Sequence, residues 1–361
     1  MFYYLDDTRA ANKALIIHSG ALGDCVLTLK LAAFLQKVLN IKTINFIGPG
    51  DYVSFMPGRT AVSSIRNIHS LKLDRMFTEP SSFELEEDDP LVRTFSGYDW
   101  IISFLGTEGS NFETNLAYLA CFTSSPEIVM LSARSQDDNS KHISDFHIEE
   151  LINLKKPSIE ALGVENVHKK ALEIEGIICP NLNDVQQGLS IVRDQVGIDC
   201  SDKELAVICP GSGGREKCWH IDNYISTAKE LEKSQLKPLF LLGEVEFERF
   251  NRDDIQKLKD TSAIISSLNI EQVVGLLSIA KLYIGNDSGV SHISGAMQLP
   301  TVSIFGPTNP AVYKPIGSAA KALRFATDKF SKFDQESVEK VVNTALDTID
   351  NASTPLFEIH I

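Results

Sequence analysis

Two consecutive doubly wound α/β domains, facing one another across a cleft, are what this sequence predicts. Three observations carry the prediction. Each half opens with an apolar strand, a glycine-rich turn and a helix with apolar spacing, the pattern of a strand–helix–strand unit with a parallel sheet. In the second half short apolar runs and helical stretches alternate over short connections. The length of 361 residues leaves room for two domains, at about 150 residues per domain.

In chain order, residues 14–18 (ALIIH) read as a buried strand and 19–24 (SGALGD) as a turn bracketed by two glycines. Residues 26–39 have helical apolar spacing and good helix formers, and 44–48 form a second strand. The order then blurs. Residues 64–69, 100–105 and 127–131 read as strands, 112–122 as a helix, and 83–90 as a solvated acidic loop. Residues 132–147 are polar and loop-like, and 149–163 read as a helix interrupted by Pro157. From 169 to 183 there is Pro180 and little periodicity, so the domain boundary is placed there. The first domain then covers 1–178 and the second 179–328. Strands are expected at 205–209, 238–242, 263–265, 282–285 and 301–305, with helices at 224–231, 247–258, 270–279 and 290–297. A last amphipathic helix at 335–349 belongs to a tail, 329–361, expected to pack back on the first domain.

Composition excludes several classes. Basic residues number 34 and acidic ones 48, a formal charge of −14, which argues against a nucleic-acid binder needing a basic face. No apolar run reaches the roughly 18 residues of a membrane span. The first residues lack a basic stretch followed by an apolar one, so no secretory signal is expected and the cytoplasm is the expected compartment. The six cysteines, Cys25, Cys121, Cys179, Cys200, Cys209 and Cys218, form no CxxC pair and read as reduced thiols. The histidines show no metal-ligand spacing, and neither HEXXH nor GxSxG occurs, so neither a metal site nor a serine hydrolase is expected.

Four stretches at strand ends can carry chemistry. The first is Gly285–His292, between a strand and a helix: the unpaired N–H groups and the dipole of a helix start form an anion site. There Asp287 or Ser288 caps the helix, Gly289 admits close backbone approach, and His292 lies one turn in. A plain N-cap with a packed His292 explains the same residues. The second is Pro210–Trp219, in which Ser212, Gly213 and neighbouring amides can hold phosphate oxygens and Lys217 can neutralise them. It matches neither GxxxxGK[ST] nor GxGxxG, and an ordinary surface turn stands beside the functional reading. Trp219 is read as a stacking face or a core anchor. The third is Gly23-Asp24, where the aspartate either takes a proton from an attacking hydroxyl or caps its helix. The fourth comprises Gly306-Pro307-Thr308, and more weakly Gly243-Glu244, as further walls of the cleft.

Together, SGALGDCVLTLKLAAFL, VICPGSGGREKCWHIDNY and YIGNDSGVSHISGAMQLPTVSIFGPTNP resemble glycosyltransferase family 9, the heptosyltransferase family of lipopolysaccharide synthesis, in order and spacing as well as in wording. The resemblance covers the first 50 residues and most of 200–315. It implies a GT-B-like architecture of two Rossmann-like domains, the acceptor held mainly by the first and the nucleotide-sugar by the second. It also implies inverting transfer of a heptose from ADP-heptose to an acceptor hydroxyl, without a required metal or cofactor. The acceptor would be a glycolipid or oligosaccharide of the lipopolysaccharide core, met in the cytoplasm or at the inner membrane surface. Carried over, Asp24 matches the family's proposed base. Ser212 and Lys217 match its donor-phosphate loop, and Asp287, Ser288, Gly289 and His292 its donor segment. A family acceptor is anionic, and the acidic loop near Glu86 would repel it at close range. A sugar-nucleotide epimerase of the same fold and a non-catalytic nucleotide-sugar binder remain alternatives. A dinucleotide oxidoreductase is disfavoured by the missing GxGxxG.

Overall fold

Eleven strands appear among the described residues, and each runs parallel to its neighbours. The computed structural model describes residues 12–122, 125–134, 141–197 and 204–352. The first sheet holds β1 (Lys13–Ile17), β2 (Thr43–Gly48), β3 (Ser64–Asn67), β4 (Trp100–Ser103) and β5 (Glu127–Met130), in the order β3-β2-β1-β4-β5. The second holds β6 (Leu205–Cys209), β7 (Lys237–Leu242), β8 (Ala263–Ser266), β9 (Leu282–Asn286), β10 (Thr301–Phe305) and β11 (Ala320–Arg324), in the order β11-β10-β9-β6-β7-β8. The predicted α/β class is the observed one.

In both sheets the first strand lies in the middle and the order reverses beside it, at β1/β4 and at β6/β9. Helices on both faces require such central strands to be apolar throughout. Ala14 to Ile17 and all five residues of β6 are accordingly buried. The two reversal points put one crevice at the carboxyl end of each sheet, where open α/β sheets bind ligands.

The chain crosses between the sheets along residues 174–181. There the Ile178 N–H donates to the Ala296 carbonyl (2.9 Å) and the Cys179 N–H to the Arg59 carbonyl (2.7 Å). Arg59 also forks onto Asp184, a carboxylate with a fully buried side chain, at 2.6 and 2.8 Å. One apolar cluster continues from Ile16, Phe34 and Ile44 to Val274, Leu277 and Ile293, so the two halves share core.

Several elements differ from the sequence reading. The helix Leu182–Val196 was not foreseen. It packs on Ile270–Ser278 through paired glycines, for a Cβ on Gly188 would lie 2.2 Å from the Gly275 carbonyl oxygen. β11 was missed because its side chains are half exposed at a sheet edge and show no clear period. The stretch read as loop to residue 147 turns helical at Ile143, and that helix ends at Leu154, just ahead of Pro157. Residues 247–258 split into Glu244–Arg249 and Arg252–Thr261, because Asn251 caps the second helix through the Asp254 N–H.

The last helix, Gln335–Asp350, corrects the expectation that it packs back on the first domain. It lies against Ile221–Lys233 and the strands β9 to β11. Its apolar face of Val338, Val341, Val342 and Ala345 completes the cluster around Trp219, Tyr224 and Phe325, which would otherwise face water. Cys200 lies outside the described residues, and the other five cysteines are free thiols. Among the described residues no helix is long and apolar enough to cross a membrane.

Candidate functional site

The two crevices open into one cleft of about 930 Å³ between the sheets. Asp24, Gly23, Ser212, Gly213, Lys217, Asp287, Ser288, Gly289, His292 and Thr308 all line it. Gly243 and Gly306 do not. The Gly243 N–H is tied to Glu246 (2.7 Å), and the Gly306 carbonyl faces Arg324. This corrects the assignment of Gly243 and Gly306 as walls, although Thr308, two residues past Gly306, does line the cleft.

Two helix starts meet at the seam. Leu22–Leu27 comes from the first half and Gly289–Ala296 from the second. The contact needs glycine on both sides. A Cβ on Gly23 would lie 2.8 Å from the His292 ring, and one on Gly289 2.6 Å from Leu22. Ser288 caps the second helix by accepting a long hydrogen bond from the Ser291 N–H (3.4 Å). The helix geometry leaves the Gly289 and Val290 amides without an intrahelical acceptor. Gly289 lines the cleft, so this helix start and its partial positive charge lie at the cleft mouth.

Asp287 is the electrostatic centre of the second side. Its side chain is 7% exposed, one oxygen accepts from the Lys217 Nζ at 2.7 Å, and the other stands 3.8 Å from His292 Nε2. Burial pushes its pKa up, but the His292 ring and the Lys217 ammonium outweigh burial and hold the carboxyl at about 2. Lys217, half-buried, keeps one side toward the cleft. The buried Ser212 hydroxyl donates to the Asp287 carbonyl (2.7 Å), so this proton is already committed.

The glycine loop is pinned from behind. Arg249 donates to the Ser212 and Gly213 carbonyls at 2.8 and 3.0 Å. The fully buried Asn286 side chain donates to the Pro210 carbonyl and accepts from the Trp219 N–H and the Tyr224 hydroxyl. Trp219 stacks on Phe325 and is 2% exposed, which makes it a core anchor. A second cavity of about 520 Å³ lies across the loop, lined by Arg215, Asp222, Glu246, Arg249 and Lys257 among others.

On the first side Asp24 is exposed, and one of its oxygens accepts from the Ala21 N–H at 3.1 Å. It reaches back over its own helix start as a cap. Its other oxygen has no hydrogen bond among the described residues, so capping leaves it open to the cleft.

The sequence reading missed His18, Tyr52, Phe104, Arg134 and Tyr313, all of which line the cleft. His18 directly follows β1 and Phe104 directly follows β4, and their rings lie 4.6 Å apart. The strand order is the signal that would have found them, since β1 and β4 are separated in sequence but adjacent in the sheet. Burial pushes the His18 imidazole down to about 4, against the opposing pull of Asp24. The acidic loop does not line the cleft. Its Asp89 is buried and paired with Arg75 at 2.8 Å. Among the described residues no group of three or more His, Cys, Asp or Glu could hold a metal ion.

The fold and this cleft define a GT-B-like α/β protein. The family model of glycosyltransferase family 9 (heptosyltransferase) matches residues 146–343, and the chain belongs to that family. Lipopolysaccharide heptosyltransferase 2 of Salmonella typhimurium is 26% identical over 151 residues, which are 38% of this chain and 43% of that protein. Lipooligosaccharide heptosyltransferase 2 of Campylobacter jejuni is 31% identical over 111 residues, 29% of this chain and 35% of that one. The chain thus aligns with less than half the length of these curated relatives. Solved structures share the whole fold. A family 9 glycosyl transferase of Veillonella parvula superposes with a TM-score of 0.67 at 18% identity, covering 94% of this chain and 97% of that one. The ADP-heptose lipopolysaccharide heptosyltransferase II of E. coli does so with 0.61 at 16%, covering 93% and 99%. An E. coli heptosyltransferase solved with ADP gives 0.56 at 15%, covering 92% and 99%.

Proposed function

We propose that this protein is an inverting glycosyltransferase that moves a heptose from ADP-heptose to a hydroxyl of a lipopolysaccharide-core-like acceptor, with no metal required. The observation that carries this reading is the juxtaposition across one cleft of Asp24 with the Lys217–Asp287 pair and the start of Gly289–Ala296. As the bond from the anomeric carbon to the pyrophosphate breaks, the leaving group gains negative charge. Lys217 and the Gly289 and Val290 amides are placed to stabilise that charge, as a preorganised group must be. Asp24 takes the acceptor proton through its uncommitted oxygen while the acceptor oxygen attacks the opposite face of the sugar, which inverts its configuration. The similar structure solved with ADP supports a nucleoside diphosphate as the leaving group.

The acceptor is a glycolipid or oligosaccharide, bound mainly by the first half in the cytoplasm or at the inner membrane surface. In this reading residues 1–178 are the acceptor side and residues 179–328 the donor side. Thermal shift against a panel of nucleotide-sugars tests the donor: ADP-sugars raise the melting temperature and NAD leaves it flat. Asp24→Asn tests the base, with turnover falling at least about 100-fold and ADP affinity retained. Unchanged turnover eliminates Asp24 as the base and favours a cap in a binding protein.

A further inference from the structure

We propose that His18 is an acceptor-binding residue, whose Nε2–H donates a hydrogen bond to the attacking hydroxyl and presents that hydroxyl's proton to Asp24. This rests on the transferase reading above and assigns a partner for the nucleophile that neither the motifs nor the family model specify.

The tautomer comes first. The Gly20 N–H donates to His18 Nδ1 at 2.8 Å. A neutral imidazole that accepts at Nδ1 must carry its proton on Nε2. The ring is held neutral because it is 4% exposed and packs against Phe104. Its surroundings supply no compensating group except Asp24; the nearby His147 ring, itself buried beside Phe104, is pushed down to about 3.

Placement comes second. His18 stands at the tip of the central strand, at the reversal point of the first sheet, and lines the cleft. A Cβ on Gly20 would lie 2.3 Å from His18 Cε1 and 2.9 Å from Asp24 Oδ2. The ring edge and Oδ2, the Asp24 oxygen that caps the helix, therefore converge on one spot of backbone where only glycine leaves space for both, and the uncommitted Oδ1 that takes the proton is the second oxygen of that same carboxylate.

Chemistry comes third. A hydroxyl that must lose its proton to Asp24 keeps lone pairs that need a donor, or its orientation is free. A neutral Nε2–H supplies that donor without protonating the nucleophile. An imidazolium would instead pair with Asp24 and weaken it as a base. In the step, the acceptor oxygen bonds to the anomeric carbon and its proton passes to Asp24. The bond from that carbon to the pyrophosphate oxygen breaks, its electron pair leaves with ADP, and the Asp24 proton then returns to water. His18 holds its proton throughout.

Two substitutions separate this role from simple support of the turn. His18→Asn keeps an acceptor near Nδ1 for the Gly20 N–H but loses the distal donor. His18→Gln places an amide N–H near Nε2 and loses the turn contact. With ADP-heptose and a deacylated, heptose-deficient lipopolysaccharide core as substrates, His18→Asn lowers kcat/KM for the core by about 10- to 100-fold. Its KM for ADP-heptose stays within about twofold, and His18→Gln retains more of the activity. Wild-type rates in both variants, or activity kept by His18→Asn and lost by His18→Gln, overturn the proposal. A readout independent of folding of the variants is the ¹⁵N spectrum of the wild-type histidines. At pH 7 it should show His18 protonated at Nε2, and protonation at Nδ1 overturns the proposal. A wild-type protein that transfers no sugar in the same assay defeats the transferase reading itself, and is recognised before any variant is measured.

Discussion

Replacing Lys217 by methionine removes the ammonium 2.7 Å from Asp287 and keeps most of the side chain's apolar stem. It leaves a carboxylate that is 7% exposed with only His292, at 3.8 Å, facing its other oxygen. The Asp287 pKa of about 2 lies below the ordinary 3.8, a preference for the charged form of about 2 kcal/mol. Lys217 supplies part of this and is itself 36% exposed, so solvent screening reduces its share to about 1 kcal/mol. At pH 7 the variant should melt about 1–2 °C lower. The sign with pH follows from the depressed pKa. The stabilisation is present above the unfolded carboxyl value and is lost as pH falls toward the folded value of about 2. The gap between wild type and variant should therefore close over that range. The same variant should bind ADP about 10- to 100-fold more weakly by calorimetry, because a charge-assisted contact to phosphate is lost. In an Asp287→Asn background the stability cost of Lys217→Met should nearly vanish. Unchanged melting and unchanged ADP affinity in the single variant would refute the electrostatic reading of this side of the cleft.

The seam and the buried rings give two further predictions. Gly289→Ala sets a methyl 2.6 Å from Leu22 and forces the two helix starts apart; it should cost about 1–3 kcal/mol in denaturant unfolding and weaken ADP binding, and wild-type values for both would show that the seam tolerates separation. His18 and His147 are neutral in the fold at about 4 and about 3. Each charges in the unfolded chain at its ordinary value, so stability is intact above that value and falls as pH drops toward the folded ones, by up to about 1.4 kcal/mol per pH unit for each ring. His147, whose ring is 3% exposed, can be tested as His147→Phe. That variant should flatten the decline in melting temperature between pH 7 and pH 5, and an unchanged slope would contradict the burial argument.

What was legible in the sequence follows from how each signal is written. The second sheet's β6, β7, β9 and β10 are largely buried apolar runs that end at glycine-containing turns, and local pattern suffices to find them. β11, at an edge, lacks that pattern. The helix Leu182–Val196 presents its buried side to a neighbour through Gly188, a residue that propensity counts against helices. The donor-side residues were legible because Pro210–Lys217 and Gly285–His292 are contiguous stretches at strand ends. His18 and Phe104 were not, because their meeting depends on which strands are neighbours. The placement of Gln335–Asp350 failed for a related reason: amphipathicity states that a helix must be covered, not by what.

A crystal structure with ADP bound tests the central claim most directly. The account predicts the pyrophosphate within hydrogen-bond distance of Lys217 Nζ and the Gly289 and Val290 amides, facing Asp24 across the cleft. Diphosphate seated instead in the cavity between Arg215 and Lys257, on the far side of the glycine loop, would contradict it.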